Sequence, residues 1–171
     1  MLDNIILIGF MGCGKTTFGT WIAKNKKMDF CDTDALIVEK EKKSINDIFS
    51  ENGVPYFREL ETEIVKDLIK SRHNTVVSVG GGLPLKPENR ELLKKLGTVV
   101  YLRTSVEELT KRLAGDTTRP LLAGGNIREK ITHLMDMRLS DYLDAAEVII
   151  DTDGRSFDEM YENILKEKRE A

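Results

Sequence analysis

The sequence predicts an α/β fold, a parallel sheet flanked by helices on both faces. Two observations carry this expectation. Short runs rich in Val and Ile alternate with longer stretches of helical periodicity along the chain. The short runs are also apolar almost throughout, not only at every second position, as strands covered on both faces should be.

The first run, Asn4–Ile8 (NIILI), reads as a strand, and a glycine-rich turn leads from it into a helix over Lys15–Lys24. Met28–Cys31 reads as the second strand, followed by helical patterns at Ile45–Glu51 and Tyr56–Lys70. Thr75–Val79 (TVVSV) is the third strand, with a helix over Glu88–Lys95. Thr98–Leu102 and Glu147–Ile150 complete the strands. Around them lie helices at Val106–Leu113, Ile127–Leu143 and Phe157–Lys168, and the charge run Lys166–Glu170 reads as a solvated helix end. The segment Ala114–Gly125 breaks the rhythm, with three glycines and a proline where a short turn would suffice. Gly115 at one end and Gly124–Gly125 at the other suit a hinged lid.

A chain of 171 residues is one domain's worth, long enough to bury a core, and a single unit over residues 1–171 is expected. Apolar residues make up 40% and charged residues 32%, with a formal charge of −3 and both signs interspersed. Such a balance leaves no electrostatic footprint for nucleic acid. Two cysteines, Cys13 and Cys31, are too few for a disulfide framework and point to a reducing, cytoplasmic setting. The apolar start carries Asp3 and no basic region, so it reads as a strand and not as a signal peptide. No apolar run approaches membrane-spanning length. A monomer acting on small molecules is expected.

The turn after the first strand, Gly9-Phe-Met-Gly-Cys-Gly14-Lys15-Thr16, fits G-x-x-x-x-G-K-[ST] between a strand and a helix. Its glycines let backbone N–H groups curl round phosphate oxygens, and the helix N-terminus points its positive end at them. Lys15 adds a full charge near the β/γ-phosphates, and Thr16 offers a hydroxyl to Mg²⁺. The stretch Asn25–Asp29 resembles the guanine-reading N-K-x-D only faintly and is one residue too long; it reads as a helix end.

Other residues point to an acceptor. Asp32 and Asp34 follow the second strand, and strand alternation would put both carboxylates on one side of its C-terminal edge, where open α/β sheets bind ligands. One could serve Mg²⁺ through water and the other could take a proton from an attacking hydroxyl; a solvated acidic turn is the alternative. Gly80, Gly81 and Gly82 suggest that a ligand or another chain segment approaches closely, against a plain flexible turn. Arg58 has Glu61 at i+3, which alone would be an ordinary surface ion pair. Arg138 interrupts the apolar stripe Ile127, Ile131, Leu134, Tyr142 and needs either a partner, a ligand or a path to solvent. Two arginines can fork onto a carboxylate. Arg119, in the long loop, could close over a transferring phosphoryl group.

Taken together, these motifs resemble the shikimate kinase family over nearly the whole chain. The phosphate loop is matched by Gly9–Thr16, D-x-D by Asp32 and Asp34, and S-I-x-x-I-F by Ser44–Phe49. F-R with its glutamate is matched by Phe57, Arg58 and Glu61, and the triple glycine by Gly80–Gly82. R-P-L-L is matched by Arg119–Leu122 and the late R-x-x-x-Y by Arg138–Tyr142. The resemblance implies a five-stranded P-loop NTPase sheet of order 2-3-1-4-5. It implies ATP-dependent phosphorylation of the shikimate 3-hydroxyl on the route to chorismate and aromatic amino acids, with Mg²⁺. In that reading Gly12, Cys13, Gly14, Lys15, Thr16 and Thr17 bind ATP with Arg119, and Arg112 and Arg155 lie on the adenine side. Thr16 and Asp32 serve the metal. Asp34 holds the acceptor hydroxyls, Arg58, Arg138 and Gly80–Gly82 hold its carboxylate with Glu61 beside them, and Phe49 and Phe57 wall the pocket. Lys15, Asp34 and Arg119 are the expected catalytic residues, residues 114–125 the lid, and about 32–62 the acceptor-binding segment. The family usually has Glu, Gly and Glu where this chain has Val38, Lys42 and Val54. A kinase of another small hydroxy acid, such as gluconate, and a non-catalytic relative are the competing readings.

Overall fold

The computed structural model describes residues 3–170. Five parallel strands form one sheet in the order β2-β3-β1-β4-β5. They are β1 (Ile5–Ile8), β2 (Asp29–Asp32), β3 (Thr75–Ser78), β4 (Thr98–Arg103) and β5 (Val148–Asp151). The helices are α1 (Lys15–Lys26), α2 (Thr33–Glu41), α3 (Ile45–Ser71), α4 (Pro87–Leu96), α5 (Val106–Leu113), α6 (Ile127–Ala145) and α7 (Phe157–Glu170). Short 3₁₀ turns lie at Leu83–Leu85 and Pro120–Leu122. Among the described residues, no helix is long and apolar enough to cross a membrane.

Successive strand residues face opposite sides of the sheet, so a strand buried on both faces must be apolar at every position. On one side Ile6, Ile8, Val77, Val99 and Tyr101 pack with Leu60, Ile64 and Leu68 of α3 and Leu93 and Leu96 of α4. On the other, Ile5, Leu7, Val76, Val100 and Leu102 meet Phe18 and Ile22 of α1, Leu109 of α5 and Ile164 of α7. Asn4 pins the N-terminal edge of the sheet. Its Nδ2 donates to Leu96 O at 2.8 Å and to Arg72 O at 3.0 Å, and its Oδ1 accepts from Thr75 N at 3.0 Å.

Two findings depart from the sequence reading. Residues 33–41, to which the sequence pattern assigns no helix, form α2; only Thr33 and Ile37 are buried in it, too few to print an apolar stripe. Asp32 is its N-cap, with Oδ1 accepting from Asp34 N at 2.9 Å and Ala35 N at 3.2 Å. Asp34 therefore sits in a first helical turn, and strand alternation is not what brings the two carboxylates together. The patterns at 45–51 and 56–70 run on as α3, broken at Gly53, whose φ of 81° and ψ of 171° are not helical.

In this strand order the connections leaving β1 and β3 run to opposite sides, which opens a crevice at their C-terminal ends. The glycine-rich loop follows β1 and the triple glycine follows β3, so two motifs some seventy residues apart in the chain become neighbours; a Cβ at Gly81 would lie 3.4 Å from Gly9 O.

Candidate active site

The loop between β1 and α1 is shaped for an anion. Gly14, the α1 N-cap, has φ 95°, open to glycine and costly for other residues. No side chain caps α1 and no acid stands in its first turn, so its N–H groups and its positive end face the loop uncompensated. Lys15 Nζ donates to Gly9 O at 2.9 Å and Phe10 O at 3.1 Å, which seats the ammonium inside the loop. Thr16 Oγ1 donates to Asp32 Oδ2 at 3.5 Å. With Oδ1 spent on capping α2, Asp32 thus turns its second oxygen toward Thr16. This hydroxyl–carboxylate pair suits Mg²⁺, which takes one or two protein oxygens and fills its remaining positions with water and phosphate oxygens.

Beside the loop lies a cavity of about 310 Å³, lined by Cys13, Thr17, Arg112, Thr152, Arg155 and Phe157 among others. Arg112 is set over the loop by Glu108, 3.0 Å from its Nε, and donates from Nη1 to Gly12 O at 3.3 Å. A base-sized ligand here would stand between two guanidinium groups and an aromatic ring.

On the opposite flank the acceptor candidates converge on the glycine turn. A Cβ at Gly80 would lie 2.8 Å from Asp34 Oδ1 and 3.2 Å from Glu61 Oε1, one at Gly81 would lie 3.6 Å from Arg138 Nη1, and one at Gly82 would collide with the Arg58 guanidinium. The glycines are needed because four charged side chains crowd the turn. Gly80 donates its N–H to Thr33 Oγ1 at 3.0 Å, and Tyr142 donates its hydroxyl to Gly81 O at 2.7 Å. Arg58 Nη1 donates to Glu61 Oε2 at 2.6 Å, and Glu61 is 1% exposed, so this is not the surface pair that its spacing alone suggested. Arg138 is 7% exposed, with the Phe10 ring 5.8 Å from its guanidinium carbon. Phe49 and Phe57 stack at a tilt with centroids 4.7 Å apart, beside Arg58.

Asp34 Oδ1 and Glu61 Oε1 are buried without a hydrogen-bond partner, both aimed at the space by Gly80. Burial pushes the Asp34 carboxyl up, helped by Asp32 and opposed by Lys15, Arg119 and Arg58. Burial also pushes Glu61 up to about 7, against the charge and hydrogen bond of Arg58. The field at Asp34 thus joins the phosphate loop, residues 114–125 and α3 in one place. Arg119 itself is half-exposed, 3.6 Å from Asp116.

A family profile described as shikimate kinase matches residues 11–169. The chain belongs to the shikimate kinase family. It is 47% identical over 161 residues to a shikimate kinase of Geobacter metallireducens, covering 94% of this chain and 89% of the relative. It is 43% identical over 171 residues to one of Enterococcus faecalis, covering 99% and 100%. A structure titled shikimate kinase from Acinetobacter baumannii in complex with shikimate superposes with a TM-score of 0.89 at 36% identity, covering 99% of this chain and 94% of that one.

Within this family frame, the sequence reading missed Thr33 and Tyr142 as holders of the glycine turn. Thr33 is fully buried, and its only signal was the polar side chain between two acids. Of the departures from the family pattern, Val38 and Val54 are 38% and 52% exposed, and Lys42 is the α2 C-cap with φ 57°.

Proposed function

We propose that the chain transfers the γ-phosphoryl group of ATP to the 3-hydroxyl of shikimate, giving shikimate 3-phosphate and ADP. The observation that carries this reading is the pair Arg58 and Arg138, set against adjacent glycines of one turn, with Asp34 next to them and the phosphate loop beyond. A planar carboxylate is met by guanidinium forks, and a hydroxyl on the same ring then falls to Asp34. The shikimate bound to the Acinetobacter baumannii relative supports the substrate.

In the step itself, the 3-hydroxyl oxygen forms a bond to the γ-phosphorus as the bond from phosphorus to the β-bridging oxygen breaks, and ADP leaves with that electron pair. The hydroxyl proton passes to Asp34, whose raised basicity suits a proton acceptor. Lys15 and Arg119 offset charge on the transferring group. Thr16 and Asp32 would hold Mg²⁺, which would offset phosphate charge there. Arg112 and Arg155 hold the adenine side. Phe49 and Phe57 exclude water beside the acceptor. Residues 114–125 act as the lid, and residues 1–171 as one catalytic unit.

A coupled ADP-release assay with shikimate, quinate and gluconate in parallel tests the reading. Release is expected with shikimate and only weakly with the others. Faster turnover of gluconate would reassign the acceptor, and no release with any of the three would leave a binding protein.

A further inference from the structure

Asn89 and Arg90, consecutive in the first turns of α4, lie outside the set proposed to meet either substrate, yet they join the glycine turn, α3 and α6, which carry Arg58 and Arg138. Asn89 is fully buried, with Nδ2 donating to Leu83 O at 3.0 Å and Oδ1 accepting from Thr62 Oγ1 at 2.8 Å. Leu83 follows Gly82, the residue against the Arg58 guanidinium. Thr62 Oγ1 is also 3.1 Å from Arg58 O, one turn earlier on α3. Through Asn89, then, the glycine turn and the turn of helix that bears Arg58 are fastened to one side chain.

Arg90 does the same toward α6. Its side chain is 13% exposed. Its Nη1 donates to Pro84 O at 2.9 Å, to Leu85 O at 3.3 Å and to Asp141 Oδ1 at 2.9 Å, and its Nε donates to Asp144 Oδ2 at 2.5 Å. Asp141 stands three residues beyond Arg138 and next to Tyr142, which bonds Gly81 O. Arg138 is thereby fastened to the other end of the same turn.

We propose that Asn89 and Arg90 are positioning residues that fix the separation of Arg58 and Arg138 across the glycine turn, and with it the selectivity for a planar carboxylate. This rests on the shikimate kinase reading. Two forks grip one carboxylate only if both are held within a fraction of an ångström, and rigid support behind the contact is what holds them. A buried network serves this purpose because each of its members is costly to leave unpaired.

The test is steady-state kinetics of Thr62→Val, Asn89→Leu and Arg90→Lys with shikimate and with its neutral carboxamide, with circular dichroism to confirm folding. The KM for shikimate should rise about 10-fold in each variant while the KM for ATP stays put. The preference for acid over amide should fall by the same factor. Thr62→Ser, which keeps the hydroxyl, should behave as wild type. Should Asn89→Leu fail to fold, the Thr62 pair and Arg90→Lys carry the result. A joint rise in both KM values, or an acid preference that survives in all the variants, overturns the proposal. A wild type that uses acid and amide equally overturns the shikimate reading instead.

Discussion

At Glu61, burial and ion pairing pull one carboxyl in opposite directions. Burial wins and sets it near 7, with Asp34 of α2 adding to the rise and Arg58 and Arg138 opposing it. As pH climbs through about 7, Glu61 gains a charge that competes with the acceptor's carboxylate for Arg58. The KM for shikimate should therefore rise across that range and the KM for ATP should not follow. Glu61→Gln should flatten the profile; parallel profiles in mutant and wild type would sink the idea. The stability sign is the same. The folded value lies above the ordinary 4.5, so the stabilisation from a neutral, buried Glu61 is complete below about 4.5 and is lost as pH rises through about 7. Beside it, Arg58→Lys replaces a fork by a point charge. The KM for shikimate should rise about 10-fold or more, roughly the 1.5–3 kcal/mol of a charge-assisted hydrogen bond. An unchanged KM would remove Arg58 from the carboxylate clamp.

At the scale of elements, α2 ends at Lys42, a residue with a Cβ in a left-handed conformation. Lys42 holds φ 57° as its C-cap, with its N–H donated to Val38 O. A left-handed residue with a Cβ is strained by about 1–2 kcal/mol, and glycine returns part of that in unfolded-state entropy. Lys42→Gly should then stabilise by about 0.5–1 kcal/mol, read as a higher denaturant midpoint at unchanged slope. A lower midpoint would show that the left-handed cap carries no strain. The same helix marks where the sequence was hardest to read. Its two buried residues give no periodic stripe, and its clearest start signal, Asp32, was read as a ligand because it stands in D-x-D. Asp32 in fact caps the helix with one oxygen and faces Thr16 with the other. By contrast the continuous strands were legible, since an unbroken apolar run has one simple physical meaning.

Across the whole molecule, parallel strands and a site at their C-terminal edge could be read from local pattern, but the strand order came only with the family resemblance. Nothing local says that Arg58 and Arg138 meet at Gly81 and Gly82, because that follows from helices on different elements folding onto one turn. Thr62, Asn89 and Arg90 were invisible for the same reason: each is an ordinary helical residue until its partners are known. The segment 114–125, between α5 and α6, is where the molecule has room to move. Gly115, Gly124 and Gly125 have φ of 78°, 70° and 71°, so its two ends sit in a conformation that glycine can leave cheaply. Between them Leu122 is buried and Ala123 O accepts from Lys130 Nζ of α6, while Leu121 is 55% exposed. Among the described residues the Arg119 side chain pairs with Asp116, at 3.6 Å, in an exposed pair of little energetic worth. The Arg119 charge opposes the burial-driven rise of the Asp34 carboxyl, so the two groups act on one field. Closing should need both substrates, since the γ-phosphate attracts Arg119 and the acceptor fills the space under the loop. Amide exchange over 114–125 should therefore slow when an unreactive ATP analogue and shikimate are bound together, and little with either alone. Arg119→Ala should lower kcat by about 10²-fold or more while leaving the KM for shikimate nearly unchanged, the mark of an interaction made only in the transition state. Exchange that ignores the ternary complex, or a mutant that loses shikimate affinity in place of turnover, would remove Arg119 from the transferring phosphate and leave 114–125 a surface loop.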